Sequence, residues 1–238
     1  MVNPGDGRRT FAVAIDGHSG VGKSTAAAHV AMRFGLLNVD TGAMYRAAAL
    51  YCLRMGIEAD PSRVVAELAN INVTAEHSGC EQAVLLNGED VTKLIRAQEV
   101  AEATKNVSAI KEVRDKMVPM QQQIALRSNV VMNGRDICEV VLPWAQAKLF
   151  LYADIEDRTR RRIGELERLG MPADYDAVKK AVFERDRHDS SRENSPLRQS
   201  PDAVFLDTSG MPLDVMLRKI TDIVGVKWDA WGKKCSIE

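Results

Sequence analysis

The sequence has few aromatic residues, no excess of either charge and no long apolar run. Only 5% of its 238 residues are aromatic, so a buried core has to be built mainly from Ala, Val, Leu, Ile and Met. The formal net charge of −1 argues against a protein that coats a polyanion, and we expect no nucleic-acid partner. Because no apolar stretch is long enough to cross a bilayer, we expect no membrane partner either.

Cysteine is also scarce, and its positions fit no common zinc-binding pattern. The four cysteines show no C-x-x-C spacing; they are Cys52, Cys80, Cys138 and Cys235. Such scatter is typical of reduced, packed thiols, which predicts a cytoplasmic protein. Residues 1–10 lack the apolar segment of a signal peptide, and we expect them to form a flexible tail.

What the sequence does contain is a complete phosphate-binding motif. Residues 17–24, GHSGVGKS, match G-x-x-x-x-G-K-S and lie between an apolar run and an Ala-rich, helix-favouring segment. In that context backbone N–H groups converge on an anion at the helix N-terminus, Lys23 reaches the outer phosphates of ATP, and the Ser24 hydroxyl binds Mg²⁺. The predicted ATP-binding residues are Gly17, His18, Ser19, Gly20, Val21, Gly22, Lys23, Ser24 and Thr25. The alternative is a glycine-rich turn without a ligand.

Short apolar segments predict the five strands of a parallel sheet in an α/β fold, because helical patterns lie between them. The segments are residues 11–15, 36–39, 130–132, 148–152 and 204–206. Polar residues follow the strand ends, at the edge of an open parallel sheet where ligands bind. Those residues are Asp16, Asp40, Arg135, Asp136, Asp154 and Asp207.

A different pattern interrupts this alternation. Residues 71–76 and 82–86 predict two antiparallel strands joined at 78–79, and residues 96–108 predict a helix after them. The sequence therefore predicts a small antiparallel lobe inserted in the core. The expected divisions are a core at 11–66 and 110–226, an inserted lobe at 67–109, an Arg-rich lid at about 155–200 and a C-terminal tail at 227–238.

Three more helices are predicted in the second half of the core. They span residues 107–126, which include Pro119, and residues 157–170 and 175–187, with a loop at 189–200. The C-terminal tail contains Trp and Lys, and we expect one Trp to pack on the body while the rest frays. A tail that contacts a partner is the alternative.

Arginines indicate which reaction the phosphate loop serves, since phosphoryl transfer needs positive charge around both phosphate groups. The candidates are Arg46, Arg114, Arg135, Arg158, Arg160, Arg161, Arg162, Arg185, Arg187 and Arg192. For 158–162 two interpretations stay open, a lid over the triphosphate and a solvated helix face with acidic partners. The pair Asp189 and Arg192 predicts either a clamp on a sugar or phosphate, or a local ion pair.

Several motifs together resemble bacterial cytidylate kinases over residues 11–224. The motifs are IDG with GKST at 15–25, DTGAMYR at 40–46, LNGEDVT at 86–92, RAQEV at 96–100, GRD at 134–136, ERDRHDS at 184–190 and PL at 196–197. The resemblance implies the fold of the phosphate-loop nucleoside monophosphate kinases. It also implies ATP-dependent phosphorylation of CMP and dCMP with Mg²⁺, and we expect a monomer.

The resemblance further implies roles for individual residues. The implied acceptor-binding residues are Thr41, Tyr45, Arg46, Arg114, Arg135, Asp136, Arg185, Asp189 and Arg192. Among them Arg46, Arg135 and Arg192 would hold the acceptor phosphate, Arg114 and Asp136 would contact the cytosine, and Arg185 and Asp189 would reach the ribose. The residues expected to act in catalysis are Lys23, Arg135, Arg192, Arg158 and Arg162.

The sequence departs from the family pattern at a few positions. They are His18 in the loop, Lys105 where the family commonly has a base-contacting Ser, Gln121-Gln122, and Cys138-Glu139 after GRD. Three alternatives therefore stay open: a kinase for another monophosphate or small acceptor, a homologue that binds nucleotides without turnover, and a GTPase-like switch. Against the switch, the sequence contains no Asn-Lys-x-Asp motif.

Overall fold

The computed structural model describes residues 10–78, 81–168 and 170–235, so nearly all of the predicted tail at 1–10 lies outside the described residues. Its main sheet is parallel and has five strands in the order β2-β6-β1-β7-β8. The strands are β1 (Ala12–Gly17), β2 (Leu37–Asp40), β6 (Val130–Gly134), β7 (Ala147–Tyr152) and β8 (Val204–Asp207). This confirms the predicted α/β fold and its five strands, each to within two residues.

The smaller sheet is antiparallel, in the order β3-β4-β5, and confirms the predicted antiparallel element. Its strands are β3 (Val73–Ser78), β4 (Glu81–Leu86) and β5 (Glu89–Asp90). The turn predicted at 78–79 falls partly outside the described residues. The second turn is formed by Asn87 and Gly88, where both residues have positive φ, as tight hairpin turns require.

Helices cover both faces of the main sheet. The α-helices are α1 (Lys23–Phe34), α2 (Thr41–Met55), α3 (Pro61–Glu67), α4 (Gln98–Val107), α5 (Lys111–Arg127), α6 (Ile155–Arg168), α7 (Tyr175–Ser190) and α8 (Leu213–Cys235). Two 3₁₀ turns span Leu68–Asn70 and Leu94–Arg96, and a π-helical turn spans Ile137–Val141. Within the described residues, no helix combines the length and apolarity needed to cross a bilayer.

The central strand β1 explains how the layers form. All six of its residues are buried, and side chains alternate between the two faces. Val13 and Ile15 pack in the core formed with α1 and α8, whereas Ala12 and Ala14 pack on the opposite side with the end of α5. The antiparallel sheet does not have a separate core, since its buried residues cluster with those of α2 and α4.

The helix boundaries after the antiparallel sheet differ from the prediction. Helices were predicted at 96–108 and 107–126, but α4 ends at Val107 and α5 begins at Lys111. Pro119 lies inside α5, which continues through it. Because Pro119 is exposed, the carbonyl that loses its backbone donor lies on the solvent side of the helix.

The C-terminal prediction needs a larger correction. Residues 227–235, assigned to a tail, continue α8, while 236–238 lie outside the described residues. Both Trp228 and Trp231 pack on Phe11, with ring centroids 5.0 and 5.5 Å away. Three residues apart on a helix, the two rings share a face, and their burial against the main core explains why the helix continues.

Candidate active site

The phosphate-binding loop between β1 and α1 takes its shape from glycines. Gly17 has φ +146°, and a side chain at this position would collide with the carbonyl oxygen of Leu151 on β7. Gly22, with φ +91°, is the N-cap of α1. Both conformations favour glycine, so the loop curls tightly and the N-terminus of α1 remains open to an anion.

Lys23 is held inside this loop. Its side chain is buried, and Nζ donates to the carbonyl oxygen of His18 at 2.5 Å. Burial holds the pKa of Lys23 well below its ordinary value. A negatively charged ligand would therefore favour the protonated form strongly.

One cavity of about 280 Å³ joins the loop to the residues implied to bind the acceptor. The predicted loop residues that line it are Ser19, Gly20, Gly22, Lys23, Ser24 and Thr25. The predicted acceptor residues that line it are Thr41, Tyr45, Arg46, Arg114, Arg135, Asp136, Arg185 and Arg192. The cavity is thus continuous between a triphosphate-binding loop and a group of charged side chains.

A buried ion pair forms the deep end of the cavity. The Arg114 guanidinium, on α5, donates to the carboxylate of Asp136, which follows β6, and both side chains are less than 10% exposed. The same guanidinium lies 5.3 Å from the ring centroid of Tyr45. Burial raises the pKa of Tyr45 to about 12, so its hydroxyl stays protonated beside this pair.

A cluster of three arginines around one carboxylate lies nearer the loop. The buried carboxylate of Asp189 accepts from Arg192 at 2.5 Å, Arg135 at 2.7 Å and Arg185 at 3.4 Å. Burial by itself would raise the pKa of Asp189, but the three guanidinium groups outweigh it and hold this pKa well below its ordinary value. Three positive charges against one negative charge leave an excess of two, which suits a phosphate dianion.

Arg46 and Thr41 complete the wall next to β6. Arg46 lies 3.0 Å from the carboxylate of Asp40, which also caps α2 by accepting from Ala43 N. The Thr41 hydroxyl donates to the carbonyl oxygen of Asn133 at 2.8 Å. The N-terminus of α2 is therefore fixed against the strand that carries Arg135 and Asp136.

Comparison with known proteins agrees with this geometry. The family model described as "Cytidylate kinase" matches residues 13–225. The chain is 40% identical to the cytidylate kinase of Geobacillus kaustophilus, over 91% of this chain and 97% of that one. It is 43% identical to the cytidylate kinase of Desulforamulus reducens, over 93% of this chain and 97% of that one.

The chain belongs to the cytidylate kinase family. The resemblance given by the sequence motifs is thereby confirmed. An uncharacterized protein from Eubacterium ventriosum of known crystal structure shares the fold, with a TM-score of 0.52 and 12% identity. That alignment covers 92% of this chain and 99% of the other.

In this cytidylate kinase family member the lid arginines separate into two groups. The side chain of Arg158 is buried, donates to Ala153 O at 2.9 Å and to Ser19 O at 3.3 Å, and lies 2.6 Å from Asp186 on α7. Arg162 is instead exposed, 3.0 Å from Glu165, and does not line the cavity. Arg158 does not line the cavity either, so the interpretation as a solvated helix face fits Arg162, and closure of Arg158 over the triphosphate stays a prediction.

His18 contacts the lid as well. Its Nδ1 lies 3.2 Å from the carboxylate of Asp186, which also binds Arg158. His18, Gly17 and Val21 shape the loop without lining the cavity, so the structure does not place these three among the groups that face a ligand. Together His18 and Arg158 connect the phosphate loop to α7.

Asp189 differs from its expected placement in two ways. It belongs to α7, whereas the sequence predicted a loop from 189 onward. It also does not line the cavity, and its carboxylate accepts from the guanidinium groups instead; contact of Asp189 with a ribose stays a prediction. Asp189 and Arg192 form the predicted ion pair, and because Arg192 lines the cavity, a clamp on a sugar or phosphate stays a prediction.

The unusual residues after GRD point away from the cavity. The backbone N–H groups of Ile137 and Cys138 donate to the Asp16 carboxylate at 2.9 and 2.8 Å. Burial raises the pKa of Asp16 to about 6. The Cys138 thiol is buried, and Glu139 binds Arg198 at 2.6 Å, so neither side chain adds bulk or charge to the phosphate site.

Outside the quoted motifs, the sequence analysis gave no site role to five residues that line the cavity: Ala101, Thr104, Ser108, Asn133 and Glu165. Asn133 lines the cavity at the end of β6, and its amide lies 3.5 Å from Ser24 Oγ. Ser108 lines it from the end of α4, whereas Lys105 does not. Asn133 could have been predicted, because it is a polar residue at the end of a predicted strand. Ser108 could not, because no sequence pattern shows which face of α4 points toward the cavity.

Proposed function

We propose that this protein transfers the γ-phosphoryl group of ATP to CMP and dCMP. The observation that carries the proposal is the single cavity that joins the phosphate loop, the arginine cluster around Asp189 and the Arg114–Asp136 pair. Kinases of this type need one site for each nucleotide and a short path between their phosphates. Membership of the cytidylate kinase family supports the same reaction.

The loop would bind the triphosphate. Its N–H groups and the Lys23 ammonium offset the phosphate charge, and an anion in contact with Lys23 replaces the backbone carbonyl that now accepts from it. Because the ammonium is already buried, it loses little water when the ligand arrives.

Mg²⁺ fits the oxygen atoms beside the loop. Ser24 Oγ lies 3.5 Å from the amide of Asn133, whose buried Oδ1 has no hydrogen-bond partner among the described residues. Both offer hard oxygen donors, and Mg²⁺ is commonly held by few protein ligands together with phosphates and water. When bound, the ion neutralises charge on the outer phosphates of ATP.

The arginine cluster would bind the acceptor phosphate. Arg135 and Arg192 line the cavity while Asp189 holds them from behind. Their guanidinium groups keep unused N–H donors, and the excess of two positive charges attracts a phosphate dianion. That dianion is already ionised near neutral pH, so the acceptor oxygen needs no strong general base.

The Arg114–Asp136 pair would contact the base. Cytosine presents an amino donor beside ring-nitrogen and carbonyl acceptors, which a carboxylate and a guanidinium complement. Uracil presents a carbonyl where cytosine has the amino group, and this carbonyl would face the Asp136 carboxylate. Because a mismatched base would leave buried charged groups without suitable hydrogen-bond partners, such a pair discriminates strongly between cytosine and uracil.

We further propose that 67–109 and the lid at about 155–200 close over the two nucleotides and exclude water, which would otherwise consume ATP. The contacts of Arg158 and His18 with Asp186 support movement of α7 together with the loop. That the protein is a cytoplasmic monomer without nucleic-acid or membrane partners stays a prediction.

The test is ADP formation from MgATP with separate acceptors: CMP, dCMP, UMP, AMP and shikimate. We expect CMP and dCMP to give the highest kcat/KM and Lys23→Ala to give little turnover with any acceptor. Turnover with shikimate or AMP but not with CMP would contradict the proposal. Tight CMP binding without ADP formation would identify a homologue that only binds nucleotides.

A further inference from the structure

Helix α4 and its C-cap residue contribute three small residues to the cavity wall, two of which carry hydroxyl groups. Ala101, Thr104 and Ser108 line the cavity, at the three- and four-residue spacing of one helix face. Lys105, the position at which the family pattern places a base-contacting Ser, is partly exposed and does not line the cavity. A hydroxyl that contacts the base from α4 must therefore come from Thr104 or Ser108.

The two hydroxyl groups are not equally available. Thr104 Oγ1 donates to the carbonyl oxygen of Val100 at 2.6 Å, so its proton is used within the helix. Ser108 is 4% exposed, and its Oγ has no hydrogen-bond partner among the described residues. Buried hydroxyl groups rarely lack a hydrogen-bond partner, which indicates that a ligand supplies the partner of the Ser108 hydroxyl.

Ser108 also lies beside the groups that we propose to contact the base. Its carbonyl oxygen accepts from Arg114 Nη1 at 3.4 Å, while Nη2 of the same guanidinium binds Asp136. Arg114 thus fixes both the end of α4 and the Asp136 carboxylate. Ser108, whose hydroxyl is unpartnered among the described residues, is therefore held by its carbonyl oxygen beside the ion pair, and all three residues line the same cavity.

We propose that the Ser108 hydroxyl forms a third polar contact with the acceptor base, in place of a side chain at Lys105. This inference rests on the proposed function. A hydroxyl can rotate to accept or to donate a hydrogen bond. It therefore adds affinity for a pyrimidine edge whether the base offers a donor or an acceptor. Asp136 and Arg114 then supply discrimination between bases, and Ser108 supplies affinity.

The experiment measures steady-state kinetics and calorimetric CMP binding for the full chain and its variants. For Ser108→Ala we expect KM and Kd for CMP to rise about threefold to tenfold, the loss of one neutral hydrogen bond. We expect kcat and the KM for ATP to stay within about twofold. Ser108→Thr keeps a hydroxyl and should restore most of the affinity.

Two control variants and a melting curve separate this role from others. Thr104→Val removes a hydroxyl already used within the helix, and Lys105→Ala alters the position given by the family pattern; neither should change the KM for CMP by more than about twofold. Because the Ser108 hydroxyl has no protein partner, Ser108→Ala should not lower Tm.

An unchanged Kd for CMP in Ser108→Ala, or a loss confined to Lys105→Ala, would overturn the inference while leaving the proposed function in place. Absence of CMP binding by the unaltered protein would overturn both. A fall in Tm that accounts for the weaker binding would show that Ser108 acts on the fold.

Discussion

The proposed donor and acceptor halves of the cavity are formed by different kinds of chemical group. In the donor half the ligand-facing groups are backbone N–H groups shaped by Gly17 and Gly22, with Lys23 resting on a backbone carbonyl. In the acceptor half they are side chains from α2, α5, α7, the loop after α7 and the end of β6, and carboxylates hold the guanidinium groups. The donor half is formed by one contiguous segment, whereas the acceptor half depends on the whole fold.

The two halves are therefore suited to an anion in different ways. Among the described residues no side chain caps the N-terminus of α1, so its first N–H groups are available to a triphosphate. The acceptor arginines already have an anionic partner in Asp189, which keeps them aligned and prevents three like charges from repelling each other. The following predictions test this contrast, beginning with the largest expected effect.

Asp189→Asn should disturb the acceptor half most. It leaves three partly or fully buried guanidinium groups without a counter-charge, and breaking a buried pair of this kind costs about 3–5 kcal/mol of stability. Thermal unfolding should show a lower Tm, and added CMP should raise the Tm of the variant by more than it raises the Tm of the unaltered protein. An unchanged Tm would contradict the positioning role of Asp189.

The same variant should change the pH dependence of stability. Because the arginines hold the pKa of Asp189 below its ordinary value of 3.8, the ionised carboxylate stabilises the fold above that pH. The contribution is lost as pH falls through the native pKa. Urea unfolding at a series of pH values should therefore show the largest gap between the two proteins above pH 4 and a narrowing gap at lower pH.

Lys23→Ala should have the largest effect in the donor half. Removal of one preorganised charge that stabilises the transferring group typically lowers kcat by about 10²–10³. Calorimetric CMP binding should change little, because Lys23 is not part of the arginine cluster. Lys93→Ala, which removes an exposed lysine, is the control and should leave kcat unaltered. A kcat within tenfold of normal would contradict the role given to Lys23.

Arg135→Ala should weaken acceptor use more than ATP use. A hydrogen bond to a charged group contributes about 1.5–3 kcal/mol, so the KM for CMP should rise about tenfold to a hundredfold. Arg162→Ala is the matched control, since this exposed arginine pairs with Glu165 and is not among the described residues that line the cavity. If Arg162→Ala raised the KM for CMP as strongly as Arg135→Ala, the outward placement of Arg162 would be wrong for the working enzyme.

His18→Ala should have the smallest effect. It removes the contact between the loop and Asp186, but Arg158 still links Asp186 to Ser19. A partly exposed ion pair contributes up to about 1 kcal/mol, so kcat/KM should fall by less than about fivefold. Asp186→Asn weakens both contacts and should cost more. If His18→Ala and Asp186→Asn lowered kcat/KM equally, the contact between Arg158 and Asp186 would not help to connect the loop to α7.

The contrast between the halves also explains how much the sequence could predict. The loop and the five strands follow from local patterns, because glycine spacing and apolar runs are properties of contiguous segments. The acceptor residues were supplied by the family resemblance, since no local rule relates Arg114 to Asp136 across 22 positions.

The remaining differences come from tertiary contacts. Arg158 and Arg162 are one helical turn apart, yet only Arg158 lies close enough to the loop and α7 to be buried. The Trp-containing C-terminus was predicted to fray, because its pattern does not reveal that Phe11 offers a surface for both rings. Ser108 gained its position from the packing of α4 on α2, which no motif describes.

The most direct test of the two-sided site is the fate of the γ-phosphoryl group of ATP. The protein is incubated with γ-³²P-labelled MgATP and CMP, and the labelled products are separated. The account predicts label in CDP with little in inorganic phosphate, and loss of labelled CDP in Arg135→Ala before loss of ATP binding. Label released only as inorganic phosphate, or no release of label while CMP is bound, would contradict it.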